Sequence, residues 1–243
     1  MKQELAGKRV AVIGAGGGIG RAICETLQAN GADVIGLDLR GLDRLPEGVV
    51  GVECNLADVE QLGAVVAALY EEDARPISLV NSAGVVEENI GVEDMTIADF
   101  DRVMGVNFRG LFFACQAFGR ELLARGGGGI VNIASMSGNY MVNYPQKQSV
   151  YNSSKAAVTA FTKSLAVEWA GRGVRVNALS PGYVGTPLLE QKTEMHAQWK
   201  ENILLERFAT PEEVAEAVLF LLSDRSTYFV GAELLMDGGI TLR

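Results

Sequence analysis

The 243-residue sequence contains one histidine, three cysteines and no long hydrophobic run, and each of these scarcities excludes a class of protein. A Ser-His-Asp hydrolase would need His196, the single histidine, and no GxSxG motif accompanies it. His, Cys and carboxylate residues nowhere stand at metal-ligand spacing, so we expect no catalytic metal. Cys24, Cys54 and Cys115 occur in apolar contexts, which is typical of buried, reduced thiols and indicates a cytoplasmic protein.

Charge and length narrow the class of protein further. Acidic residues outnumber basic residues by 30 to 21, and the resulting net charge of −9 argues against nucleic acid or an anionic membrane as partner. The sequence is polar until Val10 and its first apolar run is short, so we expect neither a signal peptide nor a membrane span. No linker interrupts the pattern, which predicts a single domain over residues 1–243.

Apolar runs of strand length alternate with amphipathic stretches along the chain. The strand-like runs are Val10–Ile13, Val34–Leu39, Val49–Cys54, Ile77–Asn81, Gly129–Ala134, Arg175–Ser180 and Glu233–Asp237, and the helical stretches are 18–29, 58–72, 97–124, 150–171 and 211–223. This alternation predicts an α/β fold, a Rossmann-type doubly wound parallel sheet of about seven strands flanked by helices. Residues 183–208 break the alternation and form either a lid over the substrate or a plain surface insertion.

A glycine-rich turn, Gly14-Ala-Gly-Gly-Gly-Ile-Gly20, separates the first strand from the first helix. Glycines let backbone N–H groups approach a pyrophosphate, and the helix N-terminus adds a partial positive charge. Asp38 ends the second strand about 20 positions further on, where an acidic residue binds the adenosine ribose of NAD and repels the extra phosphate of NADP. Arg40 keeps NADP open as an alternative, but the pattern favours NAD.

Tyr151 and Lys155 lie four residues apart in a predicted helix, so their side chains share one helical face. A free tyrosine titrates near pH 10, roughly, and a cation one turn away favours the phenolate. An isolated pair with this spacing is usually an ordinary surface contact, but this pair accompanies a dinucleotide-binding turn. With no metal and no histidine base, it is the best candidate for proton transfer.

Together these motifs resemble the short-chain dehydrogenase/reductase family, in its compact single-domain type, over nearly the whole chain. The resemblance implies hydride transfer between NAD(H) and a secondary alcohol or ketone. It also implies a tetrad in which Tyr151 is the base, Ser135 steadies the substrate oxygen, Lys155 lowers the tyrosine pKa and holds the nicotinamide ribose, and Asn107 anchors a water for proton exit. Ser137 is a rival for the serine role, but Ser135 directly follows a strand and is favoured.

The resemblance further implies a set of cofactor-binding residues along the strand ends. The chain departs from the family motifs in three places: Ile13 stands where Thr is usual, Ser82 replaces the second Asn of NNAG, and Asn55 stands where an Asp beside the adenine is common. Besides Tyr151 and Lys155, the implied residues are Gly14, Gly18, Ile19, Gly20, Asp38, Asn55, Leu56, Asn81, Ala83, Gly84, Pro181, Gly182, Val184 and Thr186.

The segment between Ser135 and Tyr151 is rich in hydroxyl and amide groups. Its Ala-Ser-Met-Ser-Gly and Val-Asn-Tyr-Pro-Gln stretches resemble sugar and polyol dehydrogenases, such as those acting on galactitol, sorbitol or arabinitol. A pocket that removes several hydroxyls from water must return hydrogen bonds, so we expect a polyol or ketose to be bound. The expected substrate residues are Ser135, Ser137, Asn143, Gln146 and Tyr151, unless the amides only satisfy the loop's own backbone.

Two other functions and an oligomeric state complete the expectations. A 3-oxoacyl-[acyl-carrier-protein] reductase generally uses NADPH and docks an acidic carrier, and both Asp38 and the net charge argue against it. A non-enzymatic dinucleotide-sensing protein on the same scaffold would be expected to have lost Tyr151 or Lys155, and the chain keeps both. The apolar helices 97–124 and 150–171, with the family resemblance, predict a homotetramer.

Overall fold

The computed structural model describes residues 3–87, 89–190 and 193–243, and its centre is one parallel sheet of seven strands. The strand order is β3-β2-β1-β4-β5-β6-β7, with parallel pairing throughout. The predicted doubly wound α/β fold is therefore confirmed. The strands are β1 (Arg9–Ile13), β2 (Asp33–Asp38), β3 (Val50–Glu53), β4 (Ile77–Asn81), β5 (Gly128–Ile133), β6 (Val174–Pro181) and β7 (Glu233–Met236).

Helices cover both faces of the sheet because successive strand residues point to opposite sides. Val10 and Val12 pack against α1 and α9, whereas Ala11 and Ile13 face α2, α4 and α6. In the described part of the chain, no helix is both long and apolar enough to cross a membrane. The helices are α1 (Gly18–Ala29), α2 (Val59–Glu72), α3 (Ile97–Met104), α4 (Leu111–Ala124), α5 (Met136–Asn139), α6 (Ser149–Trp169), α7 (Pro187–Glu190), α8 (His196–Asn202) and α9 (Pro211–Leu222).

The stretch 97–124, predicted to be helical, is helical throughout, and a π-helical segment, Gly105–Gly110, lies between α3 and α4. Gly110 packs against the loop that follows β3, where an added Cβ would lie 2.5 Å from the Leu56 carbonyl oxygen. Wider helical turns of this kind are frequent at functional sites. Here the segment carries Asn107, whose side chain is completely buried.

The segment over 183–208 contains α7 and α8, and its residues 191 and 192 lie outside the described part of the chain. An aromatic cluster ties it to the body of the protein: the Tyr183 and Trp199 rings stack with centroids 4.5 Å apart, and His196 packs edge-on against Phe208. His196 also bonds the Leu189 carbonyl oxygen through Nε2, at 3.0 Å. The single histidine therefore stands in a packed aromatic cluster, and a lid function for this segment stays a prediction.

Candidate active site

A cavity of about 210 Å³ opens at the carboxyl ends of β4, β5 and β6. Right-handed crossovers bring all strand ends to this edge, which is where ligands bind in open α/β sheets. The sequence-predicted residues that line the cavity are Ile19, Gly84, Ser135, Asn143, Gln146, Tyr151, Lys155, Pro181, Gly182, Val184 and Thr186. The fold thus assembles side chains that are up to 167 positions apart in the sequence.

Tyr151 and Lys155 meet Ser135 on one wall of this cavity. The Lys155 ammonium is buried, lies 5.7 Å from the centre of the Tyr151 ring and donates to the Ile133 carbonyl oxygen at 2.9 Å. Ser135 is the N-cap of α5, two residues after the end of β5, and accepts a hydrogen bond from the Ser137 backbone N–H. The three polar groups are therefore held by the helix and by the strand end, on rigid elements.

The spacing of Tyr151 and Lys155 predicts a lowered tyrosine pKa, and the electrostatics of the structure differ from that expectation. Burial raises the pKa of the Tyr151 hydroxyl, a hydrogen bond with Ser135 lowers it, and the negative charge of Glu87 raises it again. Burial also lowers the pKa of Lys155 to about 8. Lys155 by itself therefore does not produce the lowered tyrosine pKa, because both groups lose hydration in the same buried wall.

Asn107 does not line the cavity. Its Oδ1 accepts from the Val85 backbone N–H at 2.8 Å, and its Nδ2 donates to the Val85 carbonyl oxygen at 2.8 Å and to the Ser154 hydroxyl at 3.0 Å. The side chain thus clamps the segment after β4 onto the π-helical turn and onto α6. A role in anchoring a water stays a prediction.

The glycine-rich turn has the tight geometry that a dinucleotide site requires. Gly14 has φ +85°, and a Cβ on it would lie 2.5 Å from the Ala83 nitrogen, while a Cβ on Gly20 would lie 2.0 Å from the Gly14 oxygen. The N-cap of α1 is Gly17, so no side chain at this position competes for the backbone N–H groups of the first turn. Asp38 accepts from the Gly16 N–H at 2.9 Å and from the Arg40 N–H at 3.2 Å.

These residues fit a nicotinamide dinucleotide. Close-packed glycines leave backbone donors accessible to a pyrophosphate, and the two N–H bonds fix the Asp38 carboxylate at the end of β2. Thr186 is within reach of the same turn, since a Cβ on Gly18 would lie 3.2 Å from its methyl carbon.

Some residues implied by the family resemblance have other contacts in the structure. Leu56 is buried against Gly110, and the Asn55 side chain accepts from the Ala57 N–H at 3.0 Å at the start of the turn into α2. Asn81 is buried below the cavity: its Nδ2 donates to Asn132 Oδ1 at 2.8 Å, and Asn132 Nδ2 donates to the Thr162 hydroxyl at 2.9 Å. We call these three residues, Asn81, Asn132 and Thr162, the amide ladder.

The segment between Ser135 and Tyr151, which we call the substrate loop, divides into residues that line the cavity and residues that face the protein interior. Asn143 and Gln146 line the cavity, and within the described residues Asn143 Oδ1 and Gln146 Oε1 are buried without a hydrogen-bond partner. Ser137 instead lies behind Ser135, with their hydroxyl oxygens 2.8 Å apart, and is not part of the lining. Asn143 and Gln146 therefore line the cavity, and each has a buried carbonyl oxygen that no described residue pairs.

Sequence reasoning missed two polar residues of this region. Gln148 lines the cavity, and its Oε1 accepts from Asn143 Nδ2 at 2.7 Å. Glu87 is 1% exposed and bonds the first turn of α6. The alternation of apolar and polar residues gave no signal for either, because both lie in irregular segments. Among residues 3–87, 89–190 and 193–243, no three His, Cys, Asp or Glu side chains are grouped as a metal site.

Comparison with known proteins agrees with this geometry. A family model described as enoyl-(acyl carrier protein) reductase matches residues 14–241. The galactitol 2-dehydrogenase (L-tagatose-forming) of Cereibacter sphaeroides is 44% identical over 248 residues, which cover 98% of this chain and 97% of the relative. The D-arabinitol 2-dehydrogenase (ribulose-forming) of Candida tropicalis is 36% identical and covers 97% and 93%, respectively.

A solved structure from Beutenbergia cavernae is similar in fold. It is described as an NAD(P)-dependent gluconate 5-dehydrogenase with NADP bound at low occupancy, and it matches with a TM-score of 0.91, 35% identity and 100% coverage of both chains. Fold, site and relatives together define an oxidoreductase that uses a nicotinamide dinucleotide and acts on a CH–OH group of a small molecule. The chain belongs to the short-chain dehydrogenase/reductase family, as its motifs indicate.

Proposed function

We propose that this protein is an NAD-dependent dehydrogenase that interconverts a polyol and the corresponding ketose. The observation that carries the proposal is that Asn143 and Gln146 line the same cavity as Tyr151, and that the amide oxygen of each is buried without a hydrogen-bond partner among the described residues. Buried acceptors of this kind favour a ligand with several hydroxyl donors. The names of the relatives, which act on galactitol and arabinitol, support the same substrate class.

In the proposed mechanism, the side chains on the cavity wall handle the proton. Tyr151 accepts the proton of the reacting hydroxyl, and Ser135 donates a hydrogen bond to the same oxygen as charge develops there. Lys155 keeps one N–H on the Ile133 carbonyl and has further donors for the cofactor ribose. A bound oxidised nicotinamide dinucleotide would supply the hydride acceptor for the alcohol carbon, and its positive charge would favour the tyrosinate of Tyr151.

The choice of NAD over NADP rests on the Asp38 carboxylate. Two backbone N–H bonds hold it at the end of β2, so it cannot swing away from an incoming 2′-phosphate without losing both. The relative from Beutenbergia cavernae holds NADP at low occupancy, which makes the preference of this chain a question for kinetics. We propose that the other cofactor-binding residues named in the sequence analysis contact the same bound dinucleotide.

Substituting the two cavity-lining amides, Asn143 and Gln146, is expected to impair polyol oxidation selectively. Asn143→Leu and Gln146→Leu should each lower kcat/KM for galactitol or arabinitol at least about tenfold, because a substrate hydroxyl loses its acceptor. A simple secondary alcohol, which has no second hydroxyl, should lose less. The measurement is a screen of polyols, ketoses and secondary alcohols with NAD(H) and NADP(H).

Asn139→Leu is the matched control for this screen. Asn139 belongs to the same loop, but its Nδ2 donates to Thr159 at 2.6 Å and to Glu233 at 2.9 Å, away from the cavity. This variant should lose stability while its kcat/KM for polyols stays near the parent value. Activity confined to acyl thioesters, with polyols inert in every variant, would instead favour the acyl-carrier-protein reductase alternative.

We also propose that the protein is a homotetramer. An aromatic patch on the outer face of α4 and α6 supports it: Phe112 and Phe161 are half-buried and stack at 4.7 Å, and Val167 is 86% exposed. Phe118, by contrast, is fully buried and belongs to the core. Light scattering should give about four times the monomer mass of 25.9 kDa.

Phe112→Glu should lower that mass by placing a charge in the interface, whereas Val92→Glu, at an exposed position outside the patch, should leave it unchanged. A monomer mass for the parent at micromolar concentration would end the proposal. The single-domain organisation, the lid over 183–208 and the cytoplasmic location also remain proposals. The three cysteines, all free and buried, support the last of these.

A further inference from the structure

The first turn of α6 carries Tyr151, and it is capped by a side chain that is distant in the sequence. The first N–H groups of a helix have no partner within it, and a side chain at the N-cap usually supplies one. The N-cap of α6 is Gln148, and its side chain makes no bond to the helix. Instead the Val150 N–H donates to Glu87 Oε1 at 2.9 Å, and the Tyr151 N–H donates to the same carboxylate at 3.1 Å and 3.2 Å.

The N-cap residue is free for another task because Glu87 takes its place. Gln148 Oε1 accepts from Asn143 Nδ2, and this bond fixes the orientation of the Asn143 amide, whose Oδ1 is left without a partner among the described residues. The carboxylate of Glu87 is buried, and a negative charge is favoured at the positive end of a helix. Because Glu87 caps the helix in place of Gln148, the first turn of α6 and the loop that carries Asn143 are connected through these two side chains.

The segment that carries Glu87 is itself fixed on both sides. Val85 bonds Asn107 through both its N–H and its carbonyl, and the Asn89 side chain accepts from the Lys147 N–H at 2.6 Å. The carboxylate therefore has little freedom to leave the helix end. It joins the segment that follows β4 to the first turn of α6.

We propose that Glu87 is a positioning residue for proton transfer, a remote cap that holds the first turn of α6 and sets the place and charge environment of the Tyr151 hydroxyl. The inference rests on the proposed role of Tyr151 as the base. Among the described residues, the charged groups facing Tyr151 are Lys155 on its own helix and Glu87 from the segment after β4. Glu87 opposes ionisation of Tyr151, and Lys155 favours it.

The test compares Glu87→Gln, which removes the charge and keeps one oxygen acceptor, with Glu87→Asp, which keeps the charge on a shorter arm. In Glu87→Gln the acidic limb of the kcat/KM profile for polyol oxidation should move to lower pH by about half a unit, because an anion that disfavours the tyrosinate is gone. In Glu87→Asp the limb should stay while kcat falls. In both, backbone amides in a peptide over residues 148–152 should exchange hydrogen at least about threefold faster.

Thr210→Ala is the control for helix capping as such. Thr210 caps α9, which carries none of the proposed site residues, through a bond from the Glu213 N–H. It should lower the Tm and leave both the pH limb and the exchange of residues 148–152 as in the parent.

A parent-like limb in Glu87→Gln, or parent-like exchange in the first turn of α6, would show that Glu87 only adds stability and would overturn the inference. If Glu87→Gln does not fold, Glu87→Asp decides: parent-like kcat and exchange reject the inference, and slower turnover with faster exchange supports it. The exchange measurement needs no turnover. A failure of the proposed function, seen as parent-like rates in Tyr151→Phe, is therefore distinguishable from a failure of the cap.

Discussion

Tyr151→Phe is expected to lower kcat for polyol oxidation about a thousandfold, equivalent to about 4 kcal/mol of transition-state stabilisation. The substitution removes only the hydroxyl that accepts the proton. The ring still packs above Lys155, whose ammonium lies 5.7 Å from its centre, so the cavity keeps its shape. Affinity for NADH should therefore stay within about threefold of the parent, as measured by fluorescence titration.

Tyr228→Phe is the matched control, because it deletes the same hydroxyl from a fully exposed tyrosine. It should change neither the rate nor NADH affinity. If Tyr151→Phe kept a rate within about tenfold of the parent, another group would have to be the base. Pre-steady-state measurements with a deuterated alcohol would confirm that the chemical step has become slower.

Asp38→Ala should reverse or abolish the preference for NAD. The substitution removes a charged hydrogen-bond acceptor for the adenosine ribose and the repulsion of a 2′-phosphate, and each effect is worth about tenfold or more. The ratio of kcat/KM with NAD to kcat/KM with NADP should therefore fall by about a hundredfold. Arg40, exposed two residues further on, is left to attract the phosphate once the carboxylate is gone.

Glu53→Gln supplies the comparison for this prediction. Glu53 is the register partner of Asp38 on the neighbouring strand, so its substitution removes one negative charge from the same end of the sheet. Its effect on the cofactor ratio should stay below about threefold, since an exposed charge is well screened. A parent enzyme that prefers NADP would remove the basis for assigning this role to Asp38.

The fold and the cavity wall that carries Ser135, Tyr151 and Lys155 could be predicted from the sequence because their signals are local. The strands are short β-branched runs with sharp ends, and a parallel sheet collects those ends at one edge. Tyr151 and Lys155 are one helical turn apart, and Ser135 lies two residues after the end of β5. Once the strand ends were identified, the meeting of these side chains followed from topology.

Contacts between irregular segments were not accessible in this way. Glu87 reaches Val150 across 63 residues, and no periodicity relates the two. The π-helical turn ends at Gly110, which packs closely against Leu56 in the loop after β3, a tertiary contact that the local helical pattern does not reveal. The sorting of loop hydroxyls and amides into cavity-facing and inward-facing groups likewise depends on the loop conformation, so Ser137 and Asn143 look equivalent in sequence and differ in the structure.

The amide ladder has a consequence for how the chain finds its fold. Hydrophobic strands such as β4 and β5 can slide past one another with little loss of apolar burial, but Asn81 and Asn132 are register partners and bond each other only when aligned. A one-residue slip would move one amide to the opposite face, and a two-residue slip would separate them by about 6.6 Å along the strands. Either misalignment would leave buried amides without hydrogen-bond partners, which costs free energy that a misaligned apolar contact does not. The ladder therefore discriminates among competing chain alignments, and it favours the one in which the ends of β4 and β5 meet at the cavity.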